Sequence, residues 1–88
     1  MFRLWGKIWK DNHLIKDMTY ERIPDDTRTH MIFAGLSAIS NEFDLEHPIW
    51  LQSNVKEFQK SAKTRFYQDS FMEEISFDYL EIEIIEEE

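Results

Sequence analysis

The chain has no cysteine, and its 88 residues include only two glycines and two prolines. Without cysteine there are no disulfides, no thiolate metal ligands and no thiol nucleophile. Two glycines are too few for a Gly-rich phosphate-binding loop, and the low glycine and proline content also argues against a disordered chain. A hydrophobic content of 42%, with 15% aromatic residues, predicts instead one folded domain over residues 1–88.

Basic residues are also scarce, because 10 lysines and arginines face 18 acidic residues and leave a net charge of −8. This balance disfavours general affinity for nucleic acid, which depends on an excess of bases. No apolar run approaches the length of a membrane span, and the first nine residues alternate charged and apolar side chains where a signal peptide needs an unbroken apolar stretch. We therefore expect a cytoplasmic protein with no membrane partner.

The charges that are present are sorted along the chain. Residues 1–16 carry four basic side chains and one acidic one, whereas residues 69–88 carry nine acidic side chains and no basic one. Both ends alternate apolar with polar or bulky side chains, as in Phe2-Arg3-Leu4 and Ile82-Glu83-Ile84, which indicates strands with one apolar face. Side by side, the two strands would bury their apolar faces together and oppose bases to acids across the ladder. We predict that they are neighbours.

The middle of the chain predicts a hairpin followed by the main helix. Asp11-Asn12-His13 supplies a turn, and the return strand from Leu14 to about Ile23 is charged enough to lie at a sheet edge. Apolar residues then recur at helical spacing from about Thr27 to Glu42. Gly35, inside this helix, is expected to let it approach the sheet closely.

The second half predicts smaller elements. Residues 49–51 read as a short extended piece, and Ser53 is positioned to cap a short helix that runs to about Ala62. Residues 64–71 alternate like a strand, although residues 72–75 could continue a helical turn, so strand and helix both stay open for residues 64–75. The last strand spans residues 77–85, and residues 86–88 form a solvated acidic tail.

These elements predict an α+β domain, with a small, mostly antiparallel sheet formed by the N-terminal hairpin and the C-terminal strands. One main helix and one short helix pack against it. The predicted core consists of Phe2, Leu4, Ile8, Ile32, Leu36, Ile39, Phe43, Leu80, Ile82 and Ile84.

Two sets of residues are candidates for binding. Trp5 and Trp9 lie on the less apolar face of the first strand and, with Trp50, are candidate anchors for a protein partner or a homodimer. A basic cluster near the second helix is the candidate for an anion or a nucleic-acid backbone, against the alternative of a solvated helix face. Its members are Lys56, Lys60, Lys63 and Arg65.

No pattern indicates catalysis or a cofactor. The three histidines, His13, His30 and His47, are far apart and form no ligand pair, and no serine lies in a nucleophile elbow. We therefore expect no catalytic, metal or cofactor site. The leading hypothesis is a non-catalytic protein that acts by protein binding or homodimerisation. The alternative is a nucleic-acid-linked role, either by direct binding through the basic helix face or by acidic mimicry of nucleic acid.

Several segments resemble a family of short bacterial proteins with no assigned function. They are FRLWGKIWKDN, DDTRTHMIF, HPIWL, KTRFYQDSF and FDYLEIEIIEEE, which together span most of the chain. The resemblance implies a bacterial cytoplasmic protein and implies no activity, cofactor or site.

Overall fold

The secondary structure, taken from a computed structural model that describes all 88 residues, consists of two antiparallel strand pairs separated by two helices. The sheet order is β2-β1-β4-β3, with every pair of neighbours antiparallel. The predicted α+β class is therefore confirmed. The elements are β1 (Phe2–Lys10), β2 (His13–Arg22), α1 (Arg28–Glu42), α2 (Gln52–Ser61), β3 (Lys63–Phe66) and β4 (Tyr79–Glu86).

The first hairpin is closed by a turn that needs two residues of positive φ. Asp11 and Asn12 have φ of 51° and 65°, the conformation that a two-residue type I′ turn requires and that these residue types tolerate. The Asp11 N–H also donates to the Asp78 carboxylate over 2.9 Å, which ties the turn to the start of β4. The predicted hairpin is confirmed, and β2 is an edge strand as expected.

The two terminal strands, β1 and β4, are neighbours in the centre of the sheet. Their register places Trp5 opposite Glu83 and Lys7 opposite Glu81. The prediction from charge sorting is therefore confirmed, with the antiparallel orientation.

The main helix, α1, begins after Thr27, whose hydroxyl accepts the backbone N–H of His30 over 3.1 Å. The helix lies close to the sheet because residue 35 has no side chain. A Cβ at Gly35 would lie 2.7 Å from Cδ2 of Leu4 and 2.9 Å from Cδ2 of Tyr20, closer than van der Waals contact permits. The expected role of Gly35 is confirmed.

The core lies between the helices and one face of the sheet. It contains 13 buried hydrophobic residues, among them every predicted core residue except Ile84, which is half-buried. The buried residues outside the predicted core are Met31, Phe58, Phe66 and Phe71. All but Met31 belong to the second half of the chain, where the elements are short and the periodicity spans too few residues to define a face.

The helix α2 does not begin as predicted. Ser53 is its second residue, and Leu51 is the N-cap. The Leu51 N–H donates to the Asn54 side-chain oxygen over 2.9 Å, so the cap comes from inside the first turn. The predicted extended piece at residues 49–51 forms no strand, and the Ile49 N–H donates to the Ser70 carbonyl over 2.7 Å.

The predicted strand over residues 64–71 is shorter than expected. It is β3, which ends at Phe66, and a 3₁₀ turn follows over Gln68–Ser70, whereas residues 72–75 are irregular. The Gln68 amide explains this end of the strand. Its Nε2 donates to the Glu73 carbonyl over 2.8 Å and its Oε1 accepts the Ile75 N–H over 2.9 Å, so a side chain satisfies backbone groups that a longer strand or helix would pair.

Asn54 also connects α2 to the edge of the sheet, because its Nδ2 donates to the Thr64 hydroxyl over 2.9 Å and to the Arg65 carbonyl over 2.8 Å. The residue is only 3% exposed. Asn54→Ala removes both bonds and the bond to the Leu51 N–H, and it is expected to lower the free energy of unfolding by about 1–3 kcal/mol in urea titrations. The control is Gln59→Ala on the exposed side of the same helix, expected within about 0.5 kcal/mol of wild type. Equal losses in both variants would contradict this role.

Neither helix has the length and apolarity needed to span a bilayer.

Candidate interaction face

Both helices pack on the same side of the sheet. Ile39 of α1 meets Gly6 of β1, and Trp50 stacks edge-on against both Phe58 of α2 and Phe66 of β3. We call the other side of the sheet the outer face. Its residues on β2 are Leu14, Asp17, Thr19 and Glu21; on β1, Arg3, Trp5, Lys7 and Trp9; on β4, Tyr79, Glu81, Glu83 and Glu86; and on and after β3, Lys63, Arg65 and Tyr67.

An ion pair between Lys7 and Glu81 occupies the centre of the outer face. Lys7 is 6% exposed and Glu81 is 4% exposed, so both are as buried as core residues. The Lys7 ammonium lies 3.1 Å from an oxygen of Glu81 and 3.1 Å from one of Glu83. Each charged group of the pair thus has the partner that burial demands.

The Glu81 carboxylate has two further donors. Arg65 Nε donates to its Oε2 over 2.9 Å, and the Trp9 indole N–H donates to its Oε1 over 3.3 Å. Together with Lys7, these side chains bring three donors from two strands, β1 and β3, to one carboxylate on β4. Glu81 is therefore the centre of a hydrogen-bonded and ion-paired network on the outer face.

Aromatic rings cover this network in place of a helix. The Lys7 ammonium lies 3.9 Å from the ring centroid of Trp5, and the Arg65 guanidinium lies 4.7 Å from that of Tyr79. These cation–π contacts hold the rings flat against the charged groups. The outer face consequently excludes water from its centre with side chains of its own.

The environment of Glu81 has two opposing effects on its pKa. Burial raises it, but the hydrogen bonds from Arg65 and Lys7, together with their charges, outweigh burial and hold the pKa of Glu81 below its ordinary value. The hydrogen bond to Glu81 in turn raises the pKa of Arg65. Glu81 and Arg65 are therefore both charged at neutral pH.

The remaining polar groups of β1 are also paired within the outer face. Arg3 Nε lies 2.9 Å from a carboxylate oxygen of Glu21 and 3.0 Å from one of Glu86. The Trp5 indole N–H donates to Asp17 over 2.9 Å. Neither Arg3 nor Lys7 can neutralise a phosphate without first losing an acidic partner.

An apolar strip crosses all four strands at one end of the outer face. We call it the aromatic row, and it consists of Leu14, Trp9, Tyr79 and Tyr67. Trp9 and Tyr79 are half-buried, whereas Leu14 and Tyr67 are 42% and 48% exposed. The rings of Tyr67 and Tyr79 stack with centroids 5.2 Å apart. This is the largest aromatic group that the outer face presents to solvent.

The third candidate tryptophan, Trp50, lies on the helix side of the sheet. It packs against Phe33, Phe58 and Phe66, and its indole N–H is buried without a partner. With Phe33 and Val55 it lines a groove of about 270 Å³ between α1 and α2. The structure brings Trp5 and Trp9 to one surface and places Trp50 on another.

The four candidate bases do not act as one cluster. Lys56 and Lys60 are exposed on α2, whereas Lys63 and Arg65 belong to the outer face. Lys63 and Arg65 share a shallow depression with two acids, Glu57 and Glu81, and Arg65 is bound to Glu81. Of the four, only Arg65 is held in an ion pair, but the three lysines are divided between α2 and the sheet, and Lys63 lies beside two acids.

No group of three or more histidine, aspartate and glutamate side chains is arranged to hold a metal ion. Comparison of the chain with protein-family models, curated proteins and solved structures finds no match. The geometry of the outer face therefore carries the functional argument by itself.

The sequence identified the polar and aromatic side of β1, formed by Arg3, Trp5, Lys7 and Trp9. It did not identify the residues of the other strands that complete the same face. Glu81 and Arg65 are central to the outer face, and Tyr67 and Tyr79 complete its aromatic row, yet the sequence marked only Arg65 as a candidate, and as an anion contact. The alternation of residues 79–83 is the signal that could have found Glu81 and Tyr79, once the antiparallel register with β1 is known.

Proposed function

We propose that this chain is a non-catalytic interaction protein that binds a protein surface through its outer face. The observation that carries the proposal is the combination of paired polar groups with exposed rings. Because the indoles and charged groups of β1 are satisfied within the face, a covering surface need not supply partners for them. The aromatic row supplies apolar area that a partner can bury.

Rigidity further supports this proposal. The rings of Trp5 and Tyr79 are held by cations stacked on them, and the indole nitrogens of Trp5 and Trp9 are tethered to carboxylates. Side chains already ordered before binding lose little entropy when a partner covers them. Tryptophan and tyrosine are also enriched among residues that dominate interface energies.

Charge favours a protein over a nucleic acid as the partner. The net charge is −8, and Arg3, Lys7 and Arg65 on this face all contact carboxylates. A phosphate backbone would have to displace those acids and approach a negative protein. A protein surface that is apolar where it covers the aromatic row would displace no acid and would not be repelled by the negative charge.

The proposal predicts that the outer face is covered in the cell. A photo-cross-linking amino acid at position 19, exposed on β2, is expected to yield one or a few discrete heavier products. The matched control is position 41, exposed on α1 at the helix side, which is expected to yield none. Adding Tyr67→Asp, which puts a charge into the aromatic row, is expected to reduce the yield at position 19 at least about threefold.

Two outcomes would contradict the proposal. One is a chain that remains uncross-linked at position 19 while its circular dichroism is that of a folded domain. The other is a product at position 19 that disappears on nuclease treatment, which would assign the outer face to nucleic acid.

A further inference from the structure

The charges of the outer face are sorted by strand. The central strand β1 contributes only bases, Arg3 and Lys7, and its neighbour β4 contributes only acids, Glu81, Glu83 and Glu86. The register aligns them into rows that run across the sheet. One row reads Asp17, Lys7, Glu81 and Arg65 from β2 to β3, so its charges alternate in sign.

From this pattern we infer that the partner of the outer face is a second copy of the chain. The two copies stack face to face about a two-fold axis that is parallel to the strands and lies midway between β1 and β4. Such an axis places β1 over β4 of the second copy and β2 over β3 of the second copy, while each row faces itself. The inference rests on the proposed function and names its partner.

This axis sets opposite charges against each other in that row. Asp17, which is exposed, faces Arg65 of the second copy, and symmetry repeats this contact. Lys7 lies opposite Glu81 of the second copy, but both side chains are buried under the rings of their own face, so this pair attracts across a distance without contact. Alternating rows of this kind are complementary to themselves only when the axis exchanges β1 with β4. An axis across the strands would instead lay β1 on β1 and bring bases near bases, which disfavours that arrangement.

The aromatic row matches itself under the same operation. Trp9 faces Tyr79 of the second copy, and Leu14 faces Tyr67 of the second copy. The two most exposed members of the row thus bury each other. Stacked sheets lie about 10 Å apart and cross at about 30°, which moves positions at the sheet edges by a few ångströms, within reach of long side chains.

The size of the outer face sets the expected affinity. Four strands at about 4.8 Å and some seven residues at about 3.3 Å span roughly 400 Å² per copy. A standard stable interface buries about 800 Å² per partner. The dimer is therefore expected to be weak and to dissociate on dilution between millimolar and micromolar concentrations.

Positions 19 and 63 provide a direct test of the axis. Thr19 and Lys63 lie in one row on the two outermost strands, both exposed. Within one chain the outermost strands are three spacings apart, about 14 Å, which exceeds the screening length of about 8 Å at physiological salt. In the dimer, position 19 faces position 63 of the second copy. If substitutions at positions 19 and 63 affect association non-additively, the two positions therefore interact between copies and not within one chain.

The experiment is sedimentation equilibrium of wild type, Thr19→Lys, Lys63→Glu and the double variant, across that concentration range. Thr19→Lys places a base against Lys63 of the second copy, twice per dimer, and is expected to weaken association about three- to tenfold. The double variant restores opposite charges and is expected to recover wild-type association. Asn41→Lys, on the helix side of α1, is the control and is expected to have no effect.

Three results would overturn the inference: a chain that is monomeric at every concentration, a dimer that Thr19→Lys leaves unchanged, or a double variant that stays as weak as Thr19→Lys. Cross-linking at position 19 separates this failure from that of the proposed function. A product containing a different protein would support the proposed function and refute the second copy, whereas no product would refute both.

Discussion

Glu81→Gln is expected to lower the free energy of unfolding by about 3 kcal/mol at neutral pH. Removing one partner of a buried ion pair costs about 3–5 kcal/mol because the other charge stays buried. We expect the lower end of that range because Lys7 retains its ion pair with Glu83 and because Arg65 is half exposed to solvent. A glutamine offers one oxygen to three donors and adds an amide N–H where no acceptor is free. Urea titration measures the loss.

Glu83→Gln is the matched control, because Glu83 binds the same Lys7 ammonium at the same 3.1 Å but is half exposed. Water solvates a charge whose exposed partner has been removed, so the expected loss of unfolding free energy is below about 1 kcal/mol. Equal losses for the two variants would show that burial of the Glu81 carboxylate is not what makes it costly to replace.

The same carboxylate gives the wild type a pH dependence of known sign. The pKa of Glu81 is lower in the folded protein than its ordinary value of 4.5, so the unfolded chain takes up this proton first as the pH falls. The stabilisation is therefore fully present above that value and is lost as the pH falls through the lower folded pKa. We expect Glu81→Gln to flatten the fall in unfolding free energy below pH 4.5, and a parallel fall in both proteins would contradict this assignment.

Leu36→Ala is expected to destabilise the protein by about 2–5 kcal/mol, the cost of a buried cavity of this size. Leu36 is 4% exposed and belongs to the cluster between α1 and the sheet. For a domain of this length, the whole unfolding free energy is about 4–13 kcal/mol, so one such change removes a large share of it. Thermal unfolding followed by circular dichroism is expected to show a midpoint at least about 10 °C lower.

The control for Leu36 is Asn41→Ala, because Asn41 is exposed near the end of the same helix. It removes no buried contact and is expected to leave the midpoint within a few degrees of wild type, about 0.5 kcal/mol. A Leu36→Ala variant with the same melting temperature as wild type would mean that a different face of α1 packs on the sheet.

The first half of the fold could be predicted in detail because its signals are local and long. β1 alternates over nine residues, the turn at Asp11 and Asn12 favours positive φ, and α1 repeats its apolar residues over four turns. The second half was predicted less well, since single side-chain hydrogen bonds, which no periodicity signals, decided where its elements begin and end. Asn54 caps α2 from within, and Gln68 ends the extended region after β3.

For the outer face too, the sequence determined some features and the tertiary structure decided the others. Alternation and opposite charge, which are properties of neighbouring residues, were sufficient to pair β1 with β4 and to oppose Lys7 to the acids of β4. Only the tertiary structure decided that Glu81 is buried, that Arg65 binds it, and that Tyr67 and Tyr79 extend the row of Trp9. The reason is physical: burial and row membership depend on register across several strands, whereas the sequence specifies periodicity within one strand.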